Sequence, residues 1–180
     1  MSSQLQKQEN VRLAEATAKD ANIIITLLKS VGLSGETKDW GNIGFLRNSR
    51  LPSMQAIIEK IENSQSCAAL IQDATGTIIG CAFFNTYNWN GETGWLISRV
   101  AINPDYQHKG FAQQLYAGIY QMAMRAEPMP FFAYVEEKPY RNLRSQIFHV
   151  KQGFDRIGIN DFPEHPQKLI LGIWRKEIPT

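Results

Sequence analysis

The chain has 180 residues, 43% hydrophobic and 20% charged, which is too short for two ordinary domains with a linker, long enough for one well-buried core, and unlike a disordered or fibrous composition. Nineteen Lys and Arg against seventeen Asp and Glu leave a formal charge of +2, and no basic run is dense enough to follow a nucleic-acid backbone, so no nucleic-acid partner is expected. No stretch approaches the roughly 18 apolar residues of a spanning helix, and residues 1–10 are polar where a signal peptide is greasy, so the expectation is a cytoplasmic protein with no membrane partner.

Residues 1–10 read as a polar tail and residues 11–176 as a single domain. Val11 to Ala16 sets Val, Leu and Ala against Arg and Glu at the period of a half-buried strand. Asp20 is a candidate N-cap for a helix in which Ile23, Ile24, Leu27, Leu28 and Val31 recur at helical spacing before Gly32 and Gly35. Leu33 to Leu51, which carries Trp40, Phe45, Arg47 and Arg50, has no clear period and reads as a long loop of the binding or lid kind. Pro52 opens a second amphipathic helix through Met54, Ile57, Ile58 and Ile61, stopping at Asn63 and Ser64.

Cys67 to Gln72 and Ile78 to Thr86 are strand-like runs joined by the turn cluster Asp73-Ala74-Thr75-Gly76-Thr77. Cys67 and Cys81 both sit in apolar runs, where a free thiol acts as a small hydrophobe, so neither a disulfide framework nor a metal site is expected. A second turn, Asn88-Trp89-Asn90-Gly91, leads to a strand over Trp95 to Ile102 and completes an antiparallel meander. Phe111, Leu115, Ile119, Met122 and Ala123 line one face of a helix that ends before Glu127-Pro128-Met129-Pro130. Phe131 to Val135 is a short aromatic strand, Asn142 to Gln152 a helix closed by Gly153, and Phe154 to Ile159 and Leu169 to Trp174 are closing strands. The expected order is β-α-α-β-β-β-α-β-α-β-β.

The junction Val100-Ala101-Ile102-Asn103-Pro104-Asp105-Tyr106-Gln107-His108-Lys109-Gly110-Phe111-Ala112 is strand, turn, then helix. The first N–H groups of a helix lack internal partners and sit at its positive pole, so they can grip an anion if side chains leave room. Gly110 and Ala112 would leave that room, with Gln107, His108 and Lys109 as added donors. A single glycine also simply begins many helices.

Taken with the element order, Gln107-His108-Lys109-Gly110-Phe111-Ala112 resembles the Gln/Arg-x-x-Gly-x-Gly/Ala signature of the GNAT superfamily of N-acetyltransferases, and Arg99 to Pro104 resembles that family's fourth strand. Downstream, Asn142-Leu143-Arg144-Ser145-Gln146-Ile147-Phe148-His149-Val150-Lys151-Gln152-Gly153-Phe154 resembles the helix after its fifth strand, opened by Asn and closed by Gly-Phe. The resemblance implies an α/β (α+β) GNAT fold. That fold is a mixed, mostly antiparallel sheet of about seven strands with splayed fourth and fifth strands, flanked by about four helices.

It further implies acetyl-CoA as co-substrate and a small-molecule amine as the second partner. Val100, Ala101 and Ile102 would line the pantetheine arm, the amides from Gln107 to Ala112 would hold the pyrophosphate, and Asn142 and Ser145 would touch the cofactor near its thioester. The reaction would be direct attack of a neutral amine on the acetyl carbonyl, with two protons to handle and an oxyanion to stabilise.

Many family members carry a Tyr where this chain has His149, a departure shared with phosphinothricin-type acetyltransferases, whose Asn-x-x-Ser-x-x-x-His frame Asn142, Ser145 and His149 fit. An imidazole could protonate the departing thiolate or hold a water; it could equally be a hydrogen-bonded packing residue. Glu92 is the candidate base with Ser98 as water-holder, although a Glu in Asn-Gly-Glu-Thr-Gly is commonly solvated. Trp40, Phe45, Tyr87, Trp89 and Tyr134 through Tyr140 could surround the acceptor or serve as core or homodimer contacts, and Arg47 and Arg50 could meet a carboxylate or face solvent. The alternatives carried forward are a non-catalytic acyl-CoA sensor of the same fold, a protein N-acetyltransferase, and an unrelated α/β domain binding another phosphorylated ligand.

Overall fold

The computed structural model describes residues 11–33, 54–62, 66–138, 141–162 and 168–178. The expected loop after Leu33, with Trp40, Phe45, Arg47 and Arg50, lies outside the described residues, as do Pro52 and Tyr140. Strand β1 (Arg12–Glu15) is followed by a 3₁₀ turn (Ala18–Asp20) that runs into α1 (Ala21–Leu33). Asp20 is not the N-cap of this unit. Its carboxylate accepts from the Thr17 N–H at 2.8 Å and the Thr17 hydroxyl at 2.9 Å, so Thr17 begins the turn and Asp20 closes a capping box from the third position.

Then come α2 (Met54–Glu62), β2 (Ser66–Gln72), β3 (Ile78–Trp89), β4 (Glu92–Ile102), α3 (Phe111–Ala126), β5 (Phe131–Lys138), α4 (Leu143–Lys151), β6 (Asp155–Phe162) and β7 (Leu169–Lys176). This is the order the periodicities predict. The β3–β4 turn is tighter than expected, because Trp89 pairs with Glu92 and only Asn90 and Gly91 remain between the strands. Their φ angles of 50° and 88° suit a two-residue hairpin turn whose twist matches the strands, so pairing runs to the tip and β4 begins at Glu92 rather than Trp95.

The sheet has seven strands in the order β1-β2-β3-β4-β5-β7-β6, antiparallel everywhere except between β4 and β5. On one face, Ile24 and Leu27 of α1 and Ile57 of α2 bury against Leu70, Cys81, Phe83 and Ala101. On the other, Phe111, Leu115 and Ile119 of α3 cover Ile71, Ala82, Phe84, Ile97 and Val135, with Phe148 of α4 packed against them. The i, i+4, i+8 spacing of the α3 residues makes that stripe. Among the described residues no helix is long and apolar enough to cross a membrane.

The parallel pair is pinned at one end. The Trp95 amide donates to the Pro130 carbonyl at 2.8 Å and its indole N–H to the Glu127 carbonyl at 2.8 Å. A Cβ on Gly94 would stand 2.4 Å from the Pro130 oxygen, so only glycine allows this approach. From there β4 and β5 pair through Trp95–Phe131, Leu96–Phe132 and Ile97–Ala133 and no further.

Candidate active site

Beyond Ile97 and Ala133, β4 continues to Ile102 on its β3 side and β5 to Lys138 on its β7 side, so their facing edges diverge without a ladder. Opposite the divergence, Phe84 pairs with Ile97 and Phe83 with Arg99, which leaves Ser98 as the extra residue of a bulge. A bulge bends its strand and increases local twist, the deformation needed to part β4 from β5. The Ser98 hydroxyl donates back to the Phe83 carbonyl at 3.2 Å, toward β3.

Strand alternation assigns the groups on the open edge. The Asn103 N–H donates to the Ile79 carbonyl at 2.8 Å, so the main chain of Asn103 and of Ala101 is turned to β3, and that of Val100 and Ile102 to the gap. Gln107 Nε2 donates to the Ile102 carbonyl at 3.0 Å, which is consistent with that direction and closes the lower end of the edge.

The segment that follows is built by local hydrogen bonds. Asn103 Oδ1 accepts from the Asp105 amide at 3.0 Å, starting a 3₁₀ turn over Pro104–Tyr106. His108 at φ 62° and Gly110 at φ 84° then reverse the chain into α3. Gly110 is the N-cap, and no side chain caps the helix. The first helical bond is from the Gln114 N–H to the Gly110 carbonyl, so helix geometry leaves the amides of Phe111, Ala112 and Gln113 without helical partners. Among the described residues, a Cβ built on Gly110 would meet no atom within 4 Å. The described residues therefore leave room for a side chain at Gly110. His108, Lys109 and Gly110 are exposed, Gln107 and Ala112 half-buried, and Phe111 buried as the anchor. The Lys109 ammonium lies 5.1 Å from the Tyr106 ring centre.

Asn142 is the N-cap of α4, its Oδ1 accepting from the Ser145 amide at 3.0 Å, and its own N–H reaches the Glu136 carbonyl at 3.0 Å. His149, two turns on, is buried at 5% exposure. Its Nδ1 lies 2.8 Å from the Ser145 carbonyl and 3.3 Å from the Ser145 hydroxyl, and its Nε2 lies 3.0 Å from the Tyr116 hydroxyl. Burial depresses its pKa below 6.5, partly opposed by the Ser145 carbonyl. Both nitrogens are thus engaged within the protein, in the hydrogen-bonded packing position left open above.

Glu92 stands at the opposite end of β4 from the gap. Both of its oxygens are held by Arg175, one at 2.8 Å from Nε, an arrangement that raises the Arg175 pKa above its usual value. Glu92, Ser98 and His149 are therefore not brought together around the gap. Among the described residues, no group of three or more His, Cys, Asp or Glu is placed to hold a metal.

Two residues of β5 lie closer to the gap: Tyr134, an expected acceptor contact, and Glu136, which sequence reasoning passed over. Tyr134 is the first residue of β5 beyond the last β4 pair, and its hydroxyl donates to that of Tyr87; burial and this contact push its pKa above 10. Glu136 follows on the same face by strand alternation and is 4% exposed. A charged side chain at the end of an otherwise aromatic strand was the available signal.

The sequence model described as the Acetyltransferase (GNAT) family matches residues 38–154. No curated protein sequence matches the chain. Among solved structures, a Desulfovibrio desulfuricans protein assigned to the GNAT family superposes with a TM-score of 0.72 at 15% identity, over 94% of this chain and 100% of that one. The PaiA N-acetyltransferase from Thermoplasma acidophilum, solved with coenzyme A, gives 0.68 at 16% identity, over 94% and 99%. A protein assigned as a phosphinothricin N-acetyltransferase gives 0.70 at 15% identity, over 95% and 100%. With its signature on the β4–α3 turn and the fold shared over nearly the whole chain, this protein belongs to the GNAT acetyltransferase family.

Proposed function

We propose that the protein transfers an acetyl group from acetyl-CoA to a primary amine of a small or amino-acid-like acceptor, by direct attack in a ternary complex. The single observation that carries this reading is the pairing of two open features. Among the described residues the β4 edge at Val100 and Ile102 has no strand beside it, and it leads straight to a first turn of α3 that no described side chain caps. A long amide-bearing arm ending in phosphates matches that sequence of sites. The coenzyme A bound by the PaiA relative supports the same choice.

Acetyl-CoA, when bound, supplies an activated thioester carbonyl. The chain's own work is to hold and orient. The amides of Phe111, Ala112 and Gln113 would grip phosphate, with Gln107, His108 and Lys109 around them. Val100 and Ile102 would hydrogen-bond the arm through the main chain, and Asn142 and Ser145 would border its inner end. The acceptor amine arrives protonated at neutral pH and must lose that proton before attack. Glu92 is held by Arg175 at the far end of β4, so the proton-accepting role is assigned by position to Glu136, which lies on β5 beyond its last β4 pair. Tyr87 and Tyr134 would form an aromatic wall for a cationic amine.

A second reading is favoured by one observation. Both residues first expected to move protons, His149 and Glu92, are engaged by the protein itself, as they would be in a non-catalytic acyl-CoA sensor. One experiment separates the readings. The protein is incubated with acetyl-CoA and a panel of small amines, amino acids and a peptide with a free N-terminus while free thiol is followed. Acceptor-dependent thiol release is expected. Coenzyme A binding without release for any acceptor selects the sensor.

A further inference from the structure

We infer that the Tyr116–His149 hydrogen bond positions α3, whose first turn would hold phosphate, relative to β5, one wall of the cofactor gap, so that His149 serves the reaction as a positioning residue and does not donate a proton to substrate. The functional consequence rests on the acetyl-transfer reading above; the geometry does not.

The tautomer follows from the partners. A carbonyl oxygen can only accept, so the 2.8 Å contact between Nδ1 and the Ser145 carbonyl requires the proton on Nδ1. Nε2 of the neutral ring then carries the lone pair and accepts from the Tyr116 hydroxyl at 3.0 Å. Tyr116 is 3% exposed, and burial raises its pKa far above 10, so it remains a donor at neutral pH. The rings of Tyr116, Phe148 and Phe154 surround the imidazole with centres 5.8, 5.7 and 5.1 Å away. An imidazole walled in this way can neither rotate toward the gap nor exchange its proton with a ligand there without breaking both bonds.

What makes the bond more than packing is the chain of contacts it begins. The Tyr116 hydroxyl donates to His149, the His149 Nδ1–H donates to the Ser145 carbonyl, the Ser145 amide donates to Asn142 Oδ1, and the Asn142 amide donates to the Glu136 carbonyl. Tyr116 lies in the second turn of α3, the helix whose first turn would hold phosphate. Glu136 lies on β5, the opposite wall of the gap. Since β4 and β5 share no ladder beyond Ile97 and Ala133, the strands themselves do not set the width there. Five residues on three elements, linked in series through side chain and main chain, instead set where β5 stands relative to α3.

Removing only the hydroxyl is the direct test. Tyr116→Phe keeps the ring and leaves the buried Nε2 without its donor. Its KM for acetyl-CoA should rise about tenfold while kcat changes by less than about twofold and the pH profile keeps its shape. His149→Phe, which removes the Tyr116 bond and the Ser145 bond together, should do at least as much, and the double variant should be no worse than His149→Phe alone, because the Tyr116 bond is already gone from it. His149→Gln, whose amide can still accept from Tyr116, should recover part of the lost affinity. An unchanged KM in Tyr116→Phe despite a lowered melting temperature overturns the inference, since packing alone predicts that result. Loss of kcat with a vanished pH limb in His149→Phe but not in Tyr116→Phe overturns it in favour of proton donation. If no acceptor turns over in the parent protein, the acetyl-transfer reading fails separately, and the calorimetric Kd for coenzyme A in the same variants decides this one: a weakened Kd supports it and an unchanged Kd rejects it.

Discussion

The Tyr106 hydroxyl donates to the Asp73 carboxylate over 3.1 Å, tying the turn before α3 to the hairpin between β2 and β3. The same carboxylate accepts from the Thr75 hydroxyl at 2.6 Å and from the Thr75 and Thr77 amides. The Thr75 hydroxyl is the foremost reason that the Asp73 pKa lies below its usual value. Asp73→Ala removes this bond from Tyr106, whose ring lies beneath Lys109. Losing a hydrogen bond worth about 1 kcal/mol from the loop proposed to grip phosphate should raise KM for acetyl-CoA about fivefold with little change in kcat. Initial rates measure both, and an unchanged KM would mean that the loop holds its shape without the hairpin.

Gly110 allows two requirements to be separated. At φ 84° any L side chain is strained by about 1–2 kcal/mol, while no atom of the described residues lies within 4 Å of where a Cβ would stand. Gly110→Ala should therefore fold with a modest loss of stability and a weaker grip on coenzyme A. Gly110→Glu adds bulk and negative charge at the uncapped amides and should abolish detectable binding by calorimetry. Wild-type affinity in the Glu variant would remove the phosphate from this turn.

The two carboxylates considered for the base should respond differently. Glu136→Gln keeps size and removes the proposed proton acceptor, so kcat should fall by about 10²–10⁴ with KM for acetyl-CoA nearly constant. Glu92→Gln breaks an ion pair whose side chains are 40% and 22% exposed, a loss of about 0–1 kcal/mol of stability, with a small effect on rate. The reverse pattern in steady-state kinetics would return the role to Glu92.

How far the sequence reaches depends on the range of the interactions involved. Element order was legible because it rests on local periods, such as Phe111, Leu115 and Ile119 on α3, and on turn chemistry such as Asp73 to Thr77. The β3–β4 tip was misjudged by counting Asn88 and Trp89 as turn, when Asn90 and Gly91 alone can make one. The proposed phosphate turn was readable because its essential property is a glycine before a helix, a main-chain matter. The surroundings of His149 and Glu92 were not, since their partners lie 33 and 83 residues away in sequence and no local pattern reports whether an imidazole faces a ligand or a tyrosine. Asp20 failed for a smaller reason: Thr17 and Asp20 can each cap, and the 3₁₀ turn between them decides which one leads.

Acid should weaken the fold in two stages. In the unfolded chain a histidine titrates near its ordinary value of about 6.5, whereas burial holds His149 lower in the folded protein. As pH falls below about 6.5 the unfolded state takes up the proton first, so stability declines until the folded pKa is reached, after which this contribution is constant. Asp73 and Glu137 are also depressed in the folded state, by the Thr75 hydroxyl and by the Arg156 guanidinium respectively. Their stabilisation is complete above the unfolded carboxylate range of about 4 and is lost only at lower pH. Urea unfolding between pH 7.5 and 5 should therefore show a falling midpoint that His149→Gln flattens, while the steeper loss below about pH 4 persists in that variant. A wild-type midpoint that rises on acidification to pH 5 would contradict a neutral, buried His149, since only a ring that gains a favourable partner on protonation stabilises the fold in that direction.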